Sequence, residues 1–109
     1  MNCSKGDVIL LPYPFTDLTT AKVRPAVVVS SGQGKYEDLF VVPITSRTGN
    51  LGAGEFALAD WQLAGLNIPS AVKRGCVLID SALFRKKVGS LSQRDLLRLD
   101  ASLKAWLEL

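Results

Sequence analysis

The apolar residues of this chain come in short, β-branched runs cut by turn formers, and that punctuation limits the fold more than any other feature. Val8-Ile9-Leu10-Leu11, Ala26-Val27-Val28-Val29, Leu39-Phe40-Val41-Val42 and, more weakly, Glu55-Phe56-Ala57-Leu58 are separated by Pro12, Pro14, Pro25, Gly32, Gly34 and the segment Gly49-Asn50-Leu51-Gly52. Runs of about four to six residues rich in Val and Ile read as strands, not helices. The stretch 76–80 repeats the pattern, and 84–89 supplies a last short strand. Many short strands so closely spaced predict a small barrel or sandwich.

The period changes near the C-terminus. Ser92 is a good N-cap, Asp95 sits at N3, and Leu91 and Leu96 occupy the two positions of a hydrophobic staple. Leu96, Leu99, Leu103 and Trp106-Leu107 then fall on one stripe, leaving Arg94, Arg98, Lys104 and Glu108 to the outer side. This helix is expected to pack on the strands. The segment 61–69, Trp-Gln-Leu-Ala-Gly-Leu-Asn-Ile-Pro, reads either as a short helix ended near Gly65 or as a loop capping one barrel mouth. Trp61 reads as a core plug, with stacking on a base as the alternative.

No repeat, low-complexity tract or linker divides the 109 residues, so one domain, 1–109, is expected. With 48% hydrophobic and 21% charged residues the chain has material for a core. It has no histidine, which excludes Ser-His-Asp and Cys-His triads. Two cysteines without imidazole cannot close a four-ligand zinc site within one chain, and no metal or other cofactor is expected. Cys3 and Cys76 form no CxxC pair; the expectation is a frayed terminal thiol and a buried one. The longest uncharged stretch, 61–72, is broken by Gly65 and Pro69. That is short of the ~18–20 apolar residues of a membrane span, and with no visible signal peptide a soluble cytoplasmic protein is expected.

Charge is uneven. Residues 1–60 hold five basic against six acidic side chains, whereas 61–109 hold eight basic against four. The net charge of +3 permits a polyanionic partner. Arg85-Lys86-Lys87, the only basic triplet, reads as a solvated strand edge.

Two segments carry residues suited to chemistry. In Lys22-Val23-Arg24-Pro25-Ala26, Pro25 pushes Arg24 into an extended conformation at a loop–strand junction. Its planar fork suits a phosphate or carboxylate; it equally suits pairing with Asp17, Glu37 or Asp38 on the surface. In Val42-Pro43-Ile44-Thr45-Ser46-Arg47 an apolar strand ends in three hydrogen-bonding side chains. These either hold a phosphate oxygen or ribose hydroxyl at a pocket lip, or close the turn toward Gly49-Asn50 through side-chain to backbone bonds.

Taken in order, these segments and their neighbours resemble the PemK/MazF family of toxins from type II toxin–antitoxin pairs. The residues that carry the resemblance are Gly6-Asp7-Val8-Ile9-Leu10, Phe15-Thr16-Asp17-Leu18, Arg24-Pro25-Ala26-Val27-Val28-Val29-Ser30 and Val42-Pro43-Ile44-Thr45-Ser46. Gly65-Leu66, Pro69-Ser70, Ile79-Asp80-Ser81 and Lys87-Val88-Gly89-Ser90-Leu91-Ser92 complete it over essentially the whole chain. The resemblance implies a mainly β fold, a small SH3-like antiparallel barrel with a C-terminal α-helix, and a homodimer. It implies a sequence-specific, metal-independent endoribonuclease that cuts single-stranded RNA by attack of the substrate's own 2′-OH. Arg24 and Thr45 match the family's active-site positions; Ser46, Arg47, Lys73 and Arg74 are the expected RNA contacts. The further partner implied is a cognate antitoxin, with DNA met only through the antitoxin complex at its own operator.

The chain departs from the family pattern after Pro69-Ser70. Many relatives carry an Arg-x-Asp element there, whereas this chain reads Ala71-Val72-Lys73-Arg74-Gly75-Cys76, without a carboxylate. Lys73 or Arg74 replaces the arginine; Asp80 reads as structural. Two other readings share the same fold: a non-enzymatic gyrase poison, and a catalytically weakened member that still binds RNA or antitoxin.

Overall fold

In a computed structural model of the protein, the structure describes residues 3–12, 22–31 and 37–109. Seven strands form an antiparallel sheet: β1 (Asp7–Pro12), β2 (Val23–Ser31), β3 (Asp38–Thr45), β4 (Phe56–Ala57), β5 (Ala71–Val72), β6 (Val77–Asp80) and β7 (Lys86–Ser90). A 3-10 turn, Ser81–Leu83, follows β6, and one helix, α1 (Gln93–Leu107), closes the chain. The order across the sheet is β4-β5-β3-β2-β1-β7, with β6 also paired to β3. The expected mainly β fold with a C-terminal helix is present. Among the described residues the sheet is barrel-like but not hydrogen-bonded shut. The Phe15-Thr16-Asp17-Leu18 block and Gly32, Gly34 and Lys35 lie outside the described residues.

The continuous apolar runs form strands because both faces of the central sheet are covered. Val8, Val27 and Val42 are paired in one row across β1, β2 and β3 and face one core, with Phe56, Leu58, Val72 and Leu99. The alternate residues Ile9, Leu11, Ala26, Val28 and Val41 face a second core, with Cys3, Ile79 and Leu83. Register shifts between Val8 and Ile9 and between Val28 and Ser30 mark bulges, which bend strands locally.

Pro43 explains why the neighbour of β3 is broken in two. β6 pairs with Asp38 to Val41 and β5 with Ile44 and Thr45. Between them Pro43 has no N–H to offer a partner strand. Its carbonyl still accepts from Lys73 N at 2.9 Å, and the connector Lys73-Arg74-Gly75-Cys76 runs past Pro43 along that edge of β3.

Helix α1 begins as its sequence predicts: the Ser92 side chain accepts from the backbone N–H of Asp95 at 3.3 Å. Leu99 is fully buried, and Leu96, Leu103 and Trp106 pack against the first core. Leu107 is not part of that face; it is 50% exposed. Arg98 is exposed, as expected for the outer side, and its guanidinium covers the Phe56 ring at 4.6 Å. Buried Asp95, at the helix start, accepts from Ala59 N and Asp60 N, each at 2.9 Å. The Asp60 carboxylate in turn takes a bidentate pair from Arg94 at 2.7 Å. These bonds fix residues 59–65 as a series of turns, not a helix, and place Trp61 against the first core.

Most of the motif blocks serve the fold. Buried Asp7 accepts from Ser4 N and Ser90 Oγ, with Lys87 Nζ at 3.3 Å, and so locks the start of β1 to edge strand β7. These donors hold its carboxyl below the usual carboxylate range although burial opposes them. Gly65 (φ +80°) lies against Val88 and Gly89 so closely that a Cβ would overlap the Val88 carbonyl. Asp80 caps the 3-10 turn by accepting from Ala82 N at 2.9 Å, the structural role its sequence context suggests. No helix among the described residues is long and apolar enough to cross a membrane.

Candidate functional site

Arg24 enters at the start of β2 and Thr45 leaves at the end of β3, at the same end of the sheet. The register pairs Ala26 with Pro43, and the next residues on that face are Arg24 and Thr45. The bulge between Val28 and Ser30 sets this match. Counted without it from the Ser31–Leu39 pair, Arg24 would stand against Ser46, a slip that also reverses the face. On its other side Thr45 pairs with Ala71 of β5, two residues before Lys73.

Arg24 is exposed, and its Nη1 donates to the Val23 carbonyl at 3.1 Å. Thr45 is half-buried, and its Oγ1 accepts from Arg47 N at 3.1 Å. The turn-closing reading of Thr45 therefore holds, yet accepting that bond leaves the hydroxyl proton available to a ligand. Ser46 and Arg47 are exposed just beyond Thr45, and Lys73 and Arg74 are exposed on the connector beside Pro43. The register thus brings Arg24 and Thr45 to one end of β2 and β3, with Ser46 and Arg47 next in the chain and Lys73 bonded beside Pro43, two residues in from that end.

A residue that no sequence motif marks holds part of this lip together. Glu55 Oε1 accepts from Gly52 N at 2.6 Å, and Oε2 accepts from Arg74 N at 2.8 Å. Those two backbone donors hold its carboxyl below the usual carboxylate range, helped by the charges of Lys73 and Arg74. The partners are 19 residues apart, so no local spacing signals the contact.

At the opposite end of β2 and β3, an apolar groove of about 440 Å³ opens between α1 and the sheet. Val29, Phe40, Cys76, Leu103, Leu107 and Leu109 line it, with the Lys5–Asp100 ion pair (2.7 Å) at its rim. Cys76 is therefore exposed and Cys3 buried, the reverse of the expectation. The apolar run around Cys76 belongs to β6, whose outward face opens on solvent, whereas Cys3 folds back onto the second core. Burial raises both thiol pKa values, most directly through loss of thiolate hydration. Among the described residues, no three Cys, Asp or Glu side chains gather where a metal ion could be held.

Fold and site together define a small barrel-like β protein with a basic, hydroxyl-bearing lip at one end of its sheet. The sequence profile of the PemK-like, MazF-like toxins of type II toxin–antitoxin systems matches residues 4–107, and the chain belongs to that family. Its fold is similar to that of an endoribonuclease solved in complex with its cognate antitoxin from a mycobacterial species, at 15% identity and a TM-score of 0.76. That match covers 99% of this chain and 97% of the other. It is also similar to the Mycobacterium tuberculosis toxin MazF-mt6, at 20% identity and a TM-score of 0.73, over 94% and 97% of the two chains. No curated protein matches the sequence significantly.

Proposed function

We propose that the protein is an endoribonuclease toxin that cuts single-stranded RNA in the cytoplasm and is neutralised by a cognate antitoxin. The observation that carries this reading is the placement of Arg24 and Thr45 on one face and at one end of β2 and β3, within a chain of the toxin family. Cleavage by the substrate's own 2′-OH requires activation of that hydroxyl, stabilisation of charge on the phosphorane, and a proton for the leaving 5′-oxygen. Arg24 supplies charge stabilisation, because its fork matches two phosphate oxygens. Thr45 orients the 2′-OH or the scissile phosphate through its remaining O–H. Glu55 braces the lip and does not serve as the base: the backbone N–H groups of Arg74 and Gly52 lower its pKa and so weaken it as a proton acceptor. Ser46, Arg47, Lys73 and Arg74 hold the flanking phosphates, which makes binding salt-dependent.

The homodimer is assigned to the apolar groove at the other end of the sheet, where Phe40 is 43% and Leu107 50% exposed. This leaves the lip open to RNA, and Leu107→Glu should yield monomers by analytical ultracentrifugation. The decisive variant for the chemistry is Arg24→Ala. Removing one such preorganised donor is expected to lower the RNA cleavage rate by ~10²–10³, with the folded state unchanged by circular dichroism. Undiminished cleavage by the folded variant overturns the assignment of Arg24.

A further inference from the structure

The carboxylate of Glu55 sits beside two cations at the edge of a surface proposed to bind a polyanion, a placement that simple charge matching disfavours. Its geometry gives a reason. One oxygen closes the turn from Gly52, whose backbone carbonyl also accepts from Glu55 N at 3.0 Å; the other holds the backbone of Arg74. The neighbouring Lys73 is bonded through its backbone to Pro43, two residues before Thr45. On its other side the same turn is tied to α1, where Ser102 Oγ donates to Gly54 O at 2.6 Å and Trp106 Nε1 donates to Ala53 O at 2.9 Å. Glu55 thus links the turn that α1 holds to the backbone of Arg74, beyond the point where Pro43 holds Lys73.

We infer that Glu55 is a positioning residue for RNA binding, fixing the Lys73–Arg74 connector so that its two cations meet successive backbone phosphates at a set spacing from Thr45. The inference rests on the RNA-cutting reading for its ligand but not for its test. Each Glu55 oxygen is already engaged by a backbone N–H of the turn or of the connector, so its effect on RNA is carried through the connector. Asparagine or glutamine chemistry cannot reproduce it fully: an amide offers one oxygen to two N–H donors, and its NH₂ faces the second donor unfavourably.

The sign of the effect separates this role from a purely electrostatic one. By charge alone, Glu55→Gln removes a negative group beside Lys73 and Arg74 and tightens binding to RNA. The positioning role requires the opposite. The test measures fluorescence anisotropy of a short, uncleavable 2′-O-methyl RNA of mixed sequence with the wild type, Glu55→Gln and Glu55→Ala, across a salt series. We expect Glu55→Gln to bind about fivefold more weakly and Glu55→Ala more weakly still. The log–log salt dependence should become shallower by ~0.7 for each phosphate that the protein no longer neutralises. Melting curves establish that each variant is folded, and Glu55→Gln, nearly isosteric, decides the matter if Glu55→Ala is not. Equal or tighter binding by folded Glu55→Gln, an unchanged salt slope, or a wild type that does not bind the probe overturns the inference. A wild type that binds the probe yet leaves unmodified RNA intact removes the cleavage reading alone; weaker binding by Glu55→Gln then still supports the positioning role.

Discussion

Asp95 is fully buried, and the fold depends on where its two oxygens go. Each accepts a backbone N–H from the turn at 59–60 at 2.9 Å, and the carboxylate sits in the first turn of α1, where the helix dipole favours negative charge. Asp95→Ala leaves both N–H groups without their acceptor at a partly buried turn. Hydrogen bonds to a charged group are worth about 1.5–3 kcal/mol each. Part of that gain is offset because the alanine variant no longer buries a charge, so the lower end applies, about 3 kcal/mol for the pair. In a chain of 109 residues that corresponds to a melting temperature lower by roughly 12 °C. Asp95→Asn keeps one acceptor and turns an NH₂ toward the second donor, so about 2 kcal/mol is expected. Urea denaturation followed by tryptophan fluorescence gives both values, since Trp61 belongs to the same turn. A loss below about 1 kcal/mol for Asp95→Ala would refute the argument that these two bonds anchor the turn to the helix.

Gly65→Ala should destabilise the protein by about 2 kcal/mol or more, read by the same denaturation, because φ is +80° there and a Cβ would strike the Val88 carbonyl. Acid should weaken the fold in a defined window, chiefly through buried Asp7, since Glu55 and Asp60 are exposed to solvent. Asp7, Glu55 and Asp60 all titrate lower in the folded state, Asp60 at about 2 because of its Arg94 and Ser92 hydrogen bonds. Their stabilisation is complete above the unfolded carboxyl range, near pH 4, and drains as pH falls through the folded values. A stability curve flat between about pH 5 and pH 2 would contradict this. The exposed Arg94–Asp60 pair is expected to matter little in isolation, so Arg94→Ala should leave the thermal melt nearly unchanged.

The strands are legible where sequence and environment agree. Val8-Ile9-Leu10-Leu11 and Ala26-Val27-Val28-Val29 are apolar runs because alternate residues feed two cores on opposite faces of one sheet. β5 leaves no such trace: its two residues are a strand because Pro43, on a different strand, interrupts the neighbour of β3. The cysteines depart from expectation for a related reason. Local hydropathy around Cys76 does not reveal that β6 covers only one side of itself, nor that Cys3 is drawn under Ile9 and Ile79. At the candidate site the residue types are legible and their meeting is not. Which residue opposes Arg24 is decided by a one-residue bulge, and which carboxylate braces Arg74 by a contact 19 residues long.

The central claim is that this lip cuts RNA by means of the substrate's own 2′-hydroxyl. The most direct measurement incubates the purified protein, in EDTA, with a defined single-stranded RNA and with the same sequence made 2′-deoxy at the site of cutting, and identifies the product ends. The account predicts cleavage of the RNA to a 2′,3′-cyclic phosphate and a 5′-hydroxyl, and no cleavage at the deoxy position. RNA left intact across varied sequences, or cutting that persists at the deoxy position, would contradict it.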